Sequence, residues 1–192
     1  MLAHRSSLIG LLGAMAASAV VSLTAAGPAA ERYTAAAINV NNSAVGRIDI
    51  MVTRWSTDVQ RDALVMTLEQ KGPDKLLDAV RDMPSVGRLG APGQLSWDLR
   101  FARRIPNPDG GERIVLVTDR PINFGEAANQ PRSINYPFTV IELRLDREGN
   151  GEGKMSTATR IVVDKKNNAI ALENYELQPV QLTQVTRESS AN

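Results

Sequence analysis

Alternation of apolar and polar positions dominates this chain. Ile48, Ile50 and Val52 are apolar, and the polar Asp49 and Thr53 lie between and after them, a period of two that is typical of a half-buried strand. Similar segments recur at short intervals, and most are separated by turn-forming residues. They predict strands at 32–40, 47–55, 96–104, 113–118, 136–145, 154–163, 169–173 and 180–186. Short strands joined by tight turns predict an antiparallel sheet curled into a barrel or folded into a sandwich.

The period changes to that of a helix over 57–83. Thr57 and Gln60 have the spacing of a capping box, Gly72 ends the first helix, and Pro73 suits the first turn of a second helix. The sequence therefore predicts a mainly β (or α+β) fold with an inserted two-helix hairpin. The apolar stripes of this hairpin require a surface to pack on, either one face of an open sheet or one end of a barrel.

Segment 1–26 predicts a secretory signal peptide. Arg5 provides a basic start, an uncharged apolar run covers 8–23, and the small residues Thr24 and Ala26 precede the expected cleavage site. The apolar run is shorter than the ~20 residues of a membrane-spanning helix. We expect one β-rich domain over 27–192 with a polar, frayed tail at 187–192. We also expect a periplasmic or extracellular location, without stable membrane insertion.

Composition then excludes several kinds of chemistry. The only histidine, His4, lies in the predicted signal peptide, and the chain has no cysteine. Ser-His-Asp triads, thiol nucleophiles and ordinary zinc or copper sites are therefore excluded from the mature chain. Without Arg5, 21 basic and 21 acidic residues remain, mixed along the chain. This mixture predicts no nucleic-acid partner, and the sequence indicates no cofactor.

Five motifs combine aromatic, charged and small residues: Arg54-Trp-Ser-Thr-Asp, Ser96-Trp-Asp-Leu-Arg, Asp119-Arg-Pro-Ile-Asn-Phe, Tyr136-Pro-Phe-Thr-Val-Ile-Glu-Leu-Arg-Leu-Asp and Gly151-Glu-Gly-Lys-Met. With these motifs, the chain resembles a group of uncharacterised secreted bacterial proteins over residues 32–186. The resemblance implies a bacterial, exported, single-domain protein. It implies no activity, because none is assigned to the group.

The long irregular stretch 119–136 is the main candidate for a binding loop, since such loops often carry function. Arginine binds carboxylates or sulfates, and aromatic rings offer stacking faces. The candidate ligand-binding residues are Trp97, Arg120, Phe124, Glu126, Asn129, Arg132 and Tyr136. The alternative is that this stretch covers a barrel end or sheet edge, with Phe124 in the core.

A weaker candidate is a calcium site in the Gly-rich segment 146–153. Oxygen-bearing residues stand at alternate positions, as in the first half of an EF-hand loop, and Gly151 stands at the sixth position. They are Asp146, Glu148, Asn150 and Glu152. The twelfth position is Thr157 instead of the bidentate glutamate. A hairpin turn explains the same residues.

Three functions remain open. The first is a non-catalytic module that binds a small molecule or a partner, and an apolar cavity would favour it. The second is a structural or accessory envelope protein, which an exposed strand edge or apolar patch would favour. The third is a hydrolase with paired carboxylates, for which Asp98, Asp119 and Glu126 are the candidate acids. We rank the binding module first.

Overall fold

The computed structural model describes residues 29–40, 43–122, 135–164, 166, 169–174 and 177–188. Within these residues the chain forms ten strands and two helices. They are β1 (Glu31–Asn39), β2 (Ala44–Val52), α1 (Asp58–Lys71), α2 (Pro73–Arg81), β3 (Gly87–Gly90), β4 (Trp97–Leu99), β5 (Phe101–Pro106), β6 (Glu112–Val117), β7 (Phe138–Leu145), β8 (Asn150–Asp164), β9 (Ala169–Asn174) and β10 (Val180–Glu188). The predicted signal segment 1–26 lies outside the described residues. No helix among those residues has the length and apolar character needed to cross a membrane.

The strands form one antiparallel sheet that curls into a nearly closed barrel. Their order is β4-β3-β2-β1-β10-β8-β7-β6-β5, and β9 pairs with β8 outside this path. The two terminal strands, β4 and β5, are separated in sequence only by Arg100, so the ends of the sheet must approach each other. Ser56 helps to close the barrel. Its N–H donates to the Ala102 carbonyl at 2.8 Å, and its Oγ accepts from the Ala102 N–H at 3.1 Å. The predicted mainly β fold with a barrel is confirmed.

Side chains alternate between the barrel interior and its outer face. On β6, Ile114 and Leu116 belong to the interior cluster, whereas Val115 and Val117 face outward. The interior cluster also contains fully buried Met155 from β8, next to residues from most other strands. The barrel interior is therefore a packed apolar core.

The two-helix hairpin packs on the outer face of the barrel. α1 begins with the predicted capping box, in which the Gln60 N–H donates to Thr57 Oγ1 at 3.2 Å and the Thr57 N–H donates to Gln60 Oε1 at 3.0 Å. Buried side chains of both helices join outward-facing strand residues in a second apolar cluster. Its buried members are Leu68, Leu76, Leu77, Val80, Met83, Phe101, Val117, Phe138 and Val140. The hairpin thus covers a barrel face, an arrangement that combines features of the two alternatives left open by the sequence.

β8 is fifteen residues long and extends beyond the barrel. Its first part pairs with β10 and β7, whereas residues 160–164 pair only with β9. Ala158, just before this change, has φ of 46°, a conformation uncommon outside glycine. We call residues 160–164 together with β9 the arm. Arg160 lies 3.4 Å from Asp74 of α2, and Ile161 packs against the second cluster, so the arm flanks the helices.

The structure differs from the predicted elements at three places. Segment 96–104, predicted as one strand, forms β4 and β5 because the chain passes at Arg100 from one end of the sheet to the other. β3 has little sequence signal, since two of its four residues are glycine. Gly87 is required there by close packing, because a Cβ would lie 2.1 Å from the Met51 carbonyl oxygen. Arg187 and Glu188, predicted to belong to a frayed tail at 187–192, are part of β10, and residues 189–192 lie outside the described residues.

Candidate functional site

An apolar groove lies between the helical hairpin, the outer face of the barrel and the arm. Its volume is about 190 Å³. Twelve of its thirteen lining residues are apolar and one is an arginine. They are Arg61, Leu64, Val65 and Leu68 from α1, Leu76 and Val80 from α2, Phe101, Val115, Val117 and Val140 from β5–β7, and Ile161, Ile170 and Leu172 from the arm. We call this site the apolar groove.

The walls of the groove follow from the periods of the elements that form them. On α1, Leu64 and Leu68 are four residues apart and share one helix face, as Leu76 and Val80 do on α2. Leu68, Leu76 and Val80 are buried, whereas Leu64 and Val115 are half-buried. The contact between the hairpin and the barrel therefore leaves part of this apolar surface accessible.

The arm supplies the most exposed part of the groove. Ile170 is 55% exposed and Leu172 is 44% exposed. They stand two residues apart on β9, opposite Val163 and Ile161 of β8, and so lie on the same face of the arm. Aliphatic side chains beside an apolar groove make a surface that an apolar ligand would cover.

The size of the groove limits its occupant to a small molecule or part of one. Engineered apolar cavities of about 150 Å³ bind benzene, which has six non-hydrogen atoms. Scaled by volume, the groove holds about eight non-hydrogen atoms. This corresponds to one substituted ring or a short alkyl chain.

Arg61 is the one charged side chain among the residues that line the groove. It lies in the first turns of α1, and its side chain is 44% exposed. Its Nε and Nη2 donate to Asp62 Oδ1 at 2.8 and 2.5 Å. Such an exposed ion pair contributes only ~0–1 kcal/mol, so this guanidinium exchanges partners at little cost.

A cluster of charged side chains, separate from the apolar groove, lies inside one end of the barrel. Four charged residues each stand two positions from a buried interior residue on the same strand, so their side chains also point into the barrel. They are Glu31 (two from Tyr33), Arg104 (two from Ala102), Glu112 (two from Ile114) and Arg187 (two from Val185). We call these four charged residues the barrel-end network. Arg104 binds Glu31 and, through Nε at 2.8 Å, Glu112. Arg187 binds Glu112 and lies 3.7 Å from Glu31.

Aromatic side chains surround the barrel-end network. The Arg104 guanidinium lies 4.4 Å from the centre of the Trp55 ring, and Trp55 Nε1 donates to Glu31 Oε1 at 3.2 Å. The Tyr33 hydroxyl donates to Glu31 Oε2 at 2.9 Å. Burial raises the pKa of Tyr33 above its usual 10.0, although the Arg104 hydrogen bond opposes this effect. Two arginines and two glutamates balance each other here, so the network closes the barrel end with no net charge.

Two of the three candidate acids of a hydrolase, Asp98 and Asp119, lie among the described residues, whereas Glu126 lies outside them. Glu31 and Glu112 are both bound by arginines, so neither is poised against an open cleft. Asp98 and Asp119, two of the candidate acids, are indeed close in space, but the Arg100 guanidinium lies 3.6 Å from each of them. Both described candidate carboxylates are therefore ion-paired with the same arginine.

The residues predicted to bind a ligand are placed as follows. Trp97 of β4 packs against the interior cluster, Arg120 is exposed with its Nε 3.7 Å from Asp119, and Tyr136 is half-buried just before β7. None of these three lines the apolar groove. Phe124, Glu126, Asn129 and Arg132 lie outside the described residues. This binding loop therefore stays a prediction.

The segment considered for calcium is the hairpin turn between β7 and β8. Asp146 Oδ1 accepts from the Asn150 N–H at 2.8 Å, and the Asp146 N–H donates to the Asn150 carbonyl at 2.8 Å. Glu148, within the turn, and Glu152, on β8, are both exposed. The described part of the chain contains no group of three or more His, Cys, Asp or Glu side chains placed to hold a metal ion.

Sequence reasoning missed the groove, although it identified several of its walls. The apolar stripes of both helices were correctly expected to be buried against a surface. The signal that remained unused is the short strand β9, where Ile170 and Leu172 are apolar although turn residues lie close on both sides. An apolar face on such a short strand indicates that another part of the protein or a ligand covers it.

Comparison with known proteins assigns neither a family nor an activity to the chain. The function therefore has to be argued from the groove and its surroundings. No family model, no curated protein and no solved structure matches this sequence.

Proposed function

We propose that this chain is an exported, non-catalytic module that binds a small apolar molecule in the apolar groove. The observation that carries the proposal is an accessible volume of about 190 Å³ with one polar residue, Arg61, in its lining. Small-molecule sites are typically apolar clefts with few polar groups. Removing apolar surface from water contributes ~25 cal/mol per Å², so an apolar occupant stabilises the complex.

The size of the groove sets the expected affinity. A ligand of about eight non-hydrogen atoms that gains ~0.7 kcal/mol per atom binds with about −5.6 kcal/mol. This corresponds to a Kd of ~0.1 mM. A larger ligand that also covers the exposed side chains of Ile170 and Leu172 on the arm would bind more tightly.

Isothermal titration calorimetry with 1-heptanol tests the proposal. We expect one binding site on the mature chain and a negative heat-capacity change, the mark of apolar burial. Leu64→Trp, which fills the groove, should abolish binding. The matched variant Leu95→Trp changes an exposed leucine before β4 that is not among the lining residues, and it should keep the wild-type Kd. Equal affinities of both variants would contradict the proposal.

Export rests on the composition of segment 1–26 alone. When the full chain is produced in a bacterial host, we expect the exported protein to begin at Gly27. Sequencing of its N-terminus and fractionation of the cells measure this. Retention in the cytoplasm with Met1 or Leu2 at the N-terminus would contradict export.

A second candidate function is an accessory protein that acts through β9. The outer edge of β9 has no strand partner within the described residues, and it carries two exposed aliphatic side chains. Unprotected strand edges recruit further strands. If a second copy pairs with β9, light scattering should give a dimer mass, and Ile170→Lys with Leu172→Lys should restore the monomer.

A further inference from the structure

We propose that the ligand of the apolar groove is an anionic amphiphile, with its alkyl or aromatic part in the groove and its anionic group on the Arg61 guanidinium. This inference rests on the proposed function, which it deepens by naming the class of ligand. A carboxylate, sulfate or phosphate group fits the same role, because each offers oxygen acceptors to a planar fork of N–H donors.

Arg61 lies at the boundary between the apolar groove and water. Its side chain lines an otherwise apolar surface, yet 44% of it remains exposed to water. An arginine in this position packs its aliphatic stem against the apolar wall and keeps its charged end at the solvent boundary. A ligand whose tail fills the groove would therefore bring its polar end to this boundary.

Two acidic and two basic side chains meet near the N-terminal end of α1. Asp58 is already bound by Arg103 of β5, whose Nη1 donates to Asp58 Oδ1 at 2.7 Å, and this hydrogen bond lowers the pKa of Asp58. The guanidinium of Arg61 binds only one oxygen of Asp62, at 2.5 and 2.8 Å. Nε and one Nη2 proton make these bonds, out of five N–H donors in the guanidinium. Asp58 thus has Arg103 as its hydrogen-bond partner and has only a weaker charge attraction to Arg61. Asp62 is the hydrogen-bonded partner of Arg61 that a ligand can replace.

Asp62 competes with an anionic ligand for Arg61, although Asp62 does not line the groove. Asp62 is exposed and is not among the lining residues, so the bound anion would displace it from Arg61. Removing the Asp62 charge should therefore strengthen the binding of an anion. A purely structural role of the Arg61–Asp62 pair predicts no such gain.

The test compares three ligands built on seven-carbon chains by calorimetry on the protein. Heptanoate, 1-heptanol and heptyltrimethylammonium differ in the charge of the head group. An ion pair at an exposed rim is worth up to ~1 kcal/mol, so we expect heptanoate to bind about threefold to fivefold more tightly than 1-heptanol. Heptyltrimethylammonium should bind least tightly. The preference for heptanoate should decrease at 1 M salt.

Two variants and a control assign the preference to Arg61. Arg61→Gln should remove the advantage of heptanoate over 1-heptanol, so that the two ligands bind with similar Kd values. Asp62→Asn should tighten heptanoate binding about twofold to threefold, since it removes a competing charge of the strength of a surface pair. Arg88→Gln, on a strand that contributes no residue to the groove, should leave all three affinities unchanged.

The outcomes separate this inference from the proposed function. Equal binding of all three ligands, or tightest binding of heptyltrimethylammonium, would overturn the anionic head group and leave the apolar site intact. Failure of all three to bind would overturn both. A stable dimer that binds ligand only after Leu172→Lys would assign the groove to a second copy of the chain, and that result would also overturn the inference.

Discussion

Glu112→Gln should destabilise the protein through the barrel-end network. Glu112 is only 12% exposed, and it forms ion pairs with Arg104, whose Nε lies 2.8 Å from Oε2, and with Arg187. Removing one charge from a buried ion pair costs ~3–5 kcal/mol, and partial exposure of both arginines reduces this value. Glutamine keeps the shape and one acceptor but loses the charge. We therefore expect a loss of about 2 kcal/mol in the free energy of unfolding.

Urea denaturation of residues 27–192 measures this loss, and a second glutamate provides the control. Glu142 on β7 binds Arg144 at 2.8 Å, but this pair is exposed on the outer face. Glu142→Gln should change stability by less than ~0.5 kcal/mol. For a chain of this size, the Glu112 loss corresponds to a decrease in Tm of about 4–8 °C. If the two variants lose equal stability, the inward network does not contribute as argued.

Three further predictions concern single residues. Burial raises the pKa of Tyr33, so the contribution of its neutral hydroxyl to stability is present below pH 10 and is lost as the pH rises through the higher folded pKa. Tyr33→Phe should therefore flatten the fall in the free energy of unfolding above pH 10, measured by urea denaturation. Thr57→Ala removes the cap of α1 and should cost about 1 kcal/mol by the same assay, whereas Thr57→Ser should cost little. Gly87→Ala places a methyl group against the Met51 carbonyl oxygen and should lower stability by about 2 kcal/mol or more; an unchanged midpoint would mean that β3 moves freely away from β2.

Much of the fold was accessible from the sequence because its patterns are local. The alternation on β2 and the capping box at Thr57 each depend on neighbouring residues, and both predicted elements are present. The break at Arg100 was not accessible in this way. Trp97, Leu99 and Phe101 alternate as in one strand, and only the closure of the barrel places Phe101 in the outer cluster.

The sites depend on positions that are distant in sequence. The barrel-end network combines strand ends from β1, β5, β6 and β10, and a charged residue near the end of a strand is ordinarily expected to face water. The apolar groove is the space left where two helices, three barrel strands and the arm meet. Its volume depends on how well Leu64 and Val115 are covered, and no sequence period describes that fit.

Methyl NMR of residues 27–192 during a titration with 1-heptanol tests the central claim most directly, because it locates the bound ligand. We expect saturable shifts, with a Kd of ~0.1 mM, for the methyl groups of Leu64, Val115 and Ile170. The methyl groups of Leu95 and Val45, which are exposed elsewhere, should not shift. Saturable shifts confined to other parts of the chain, or no saturable shifts at all, would contradict the apolar groove as the binding site.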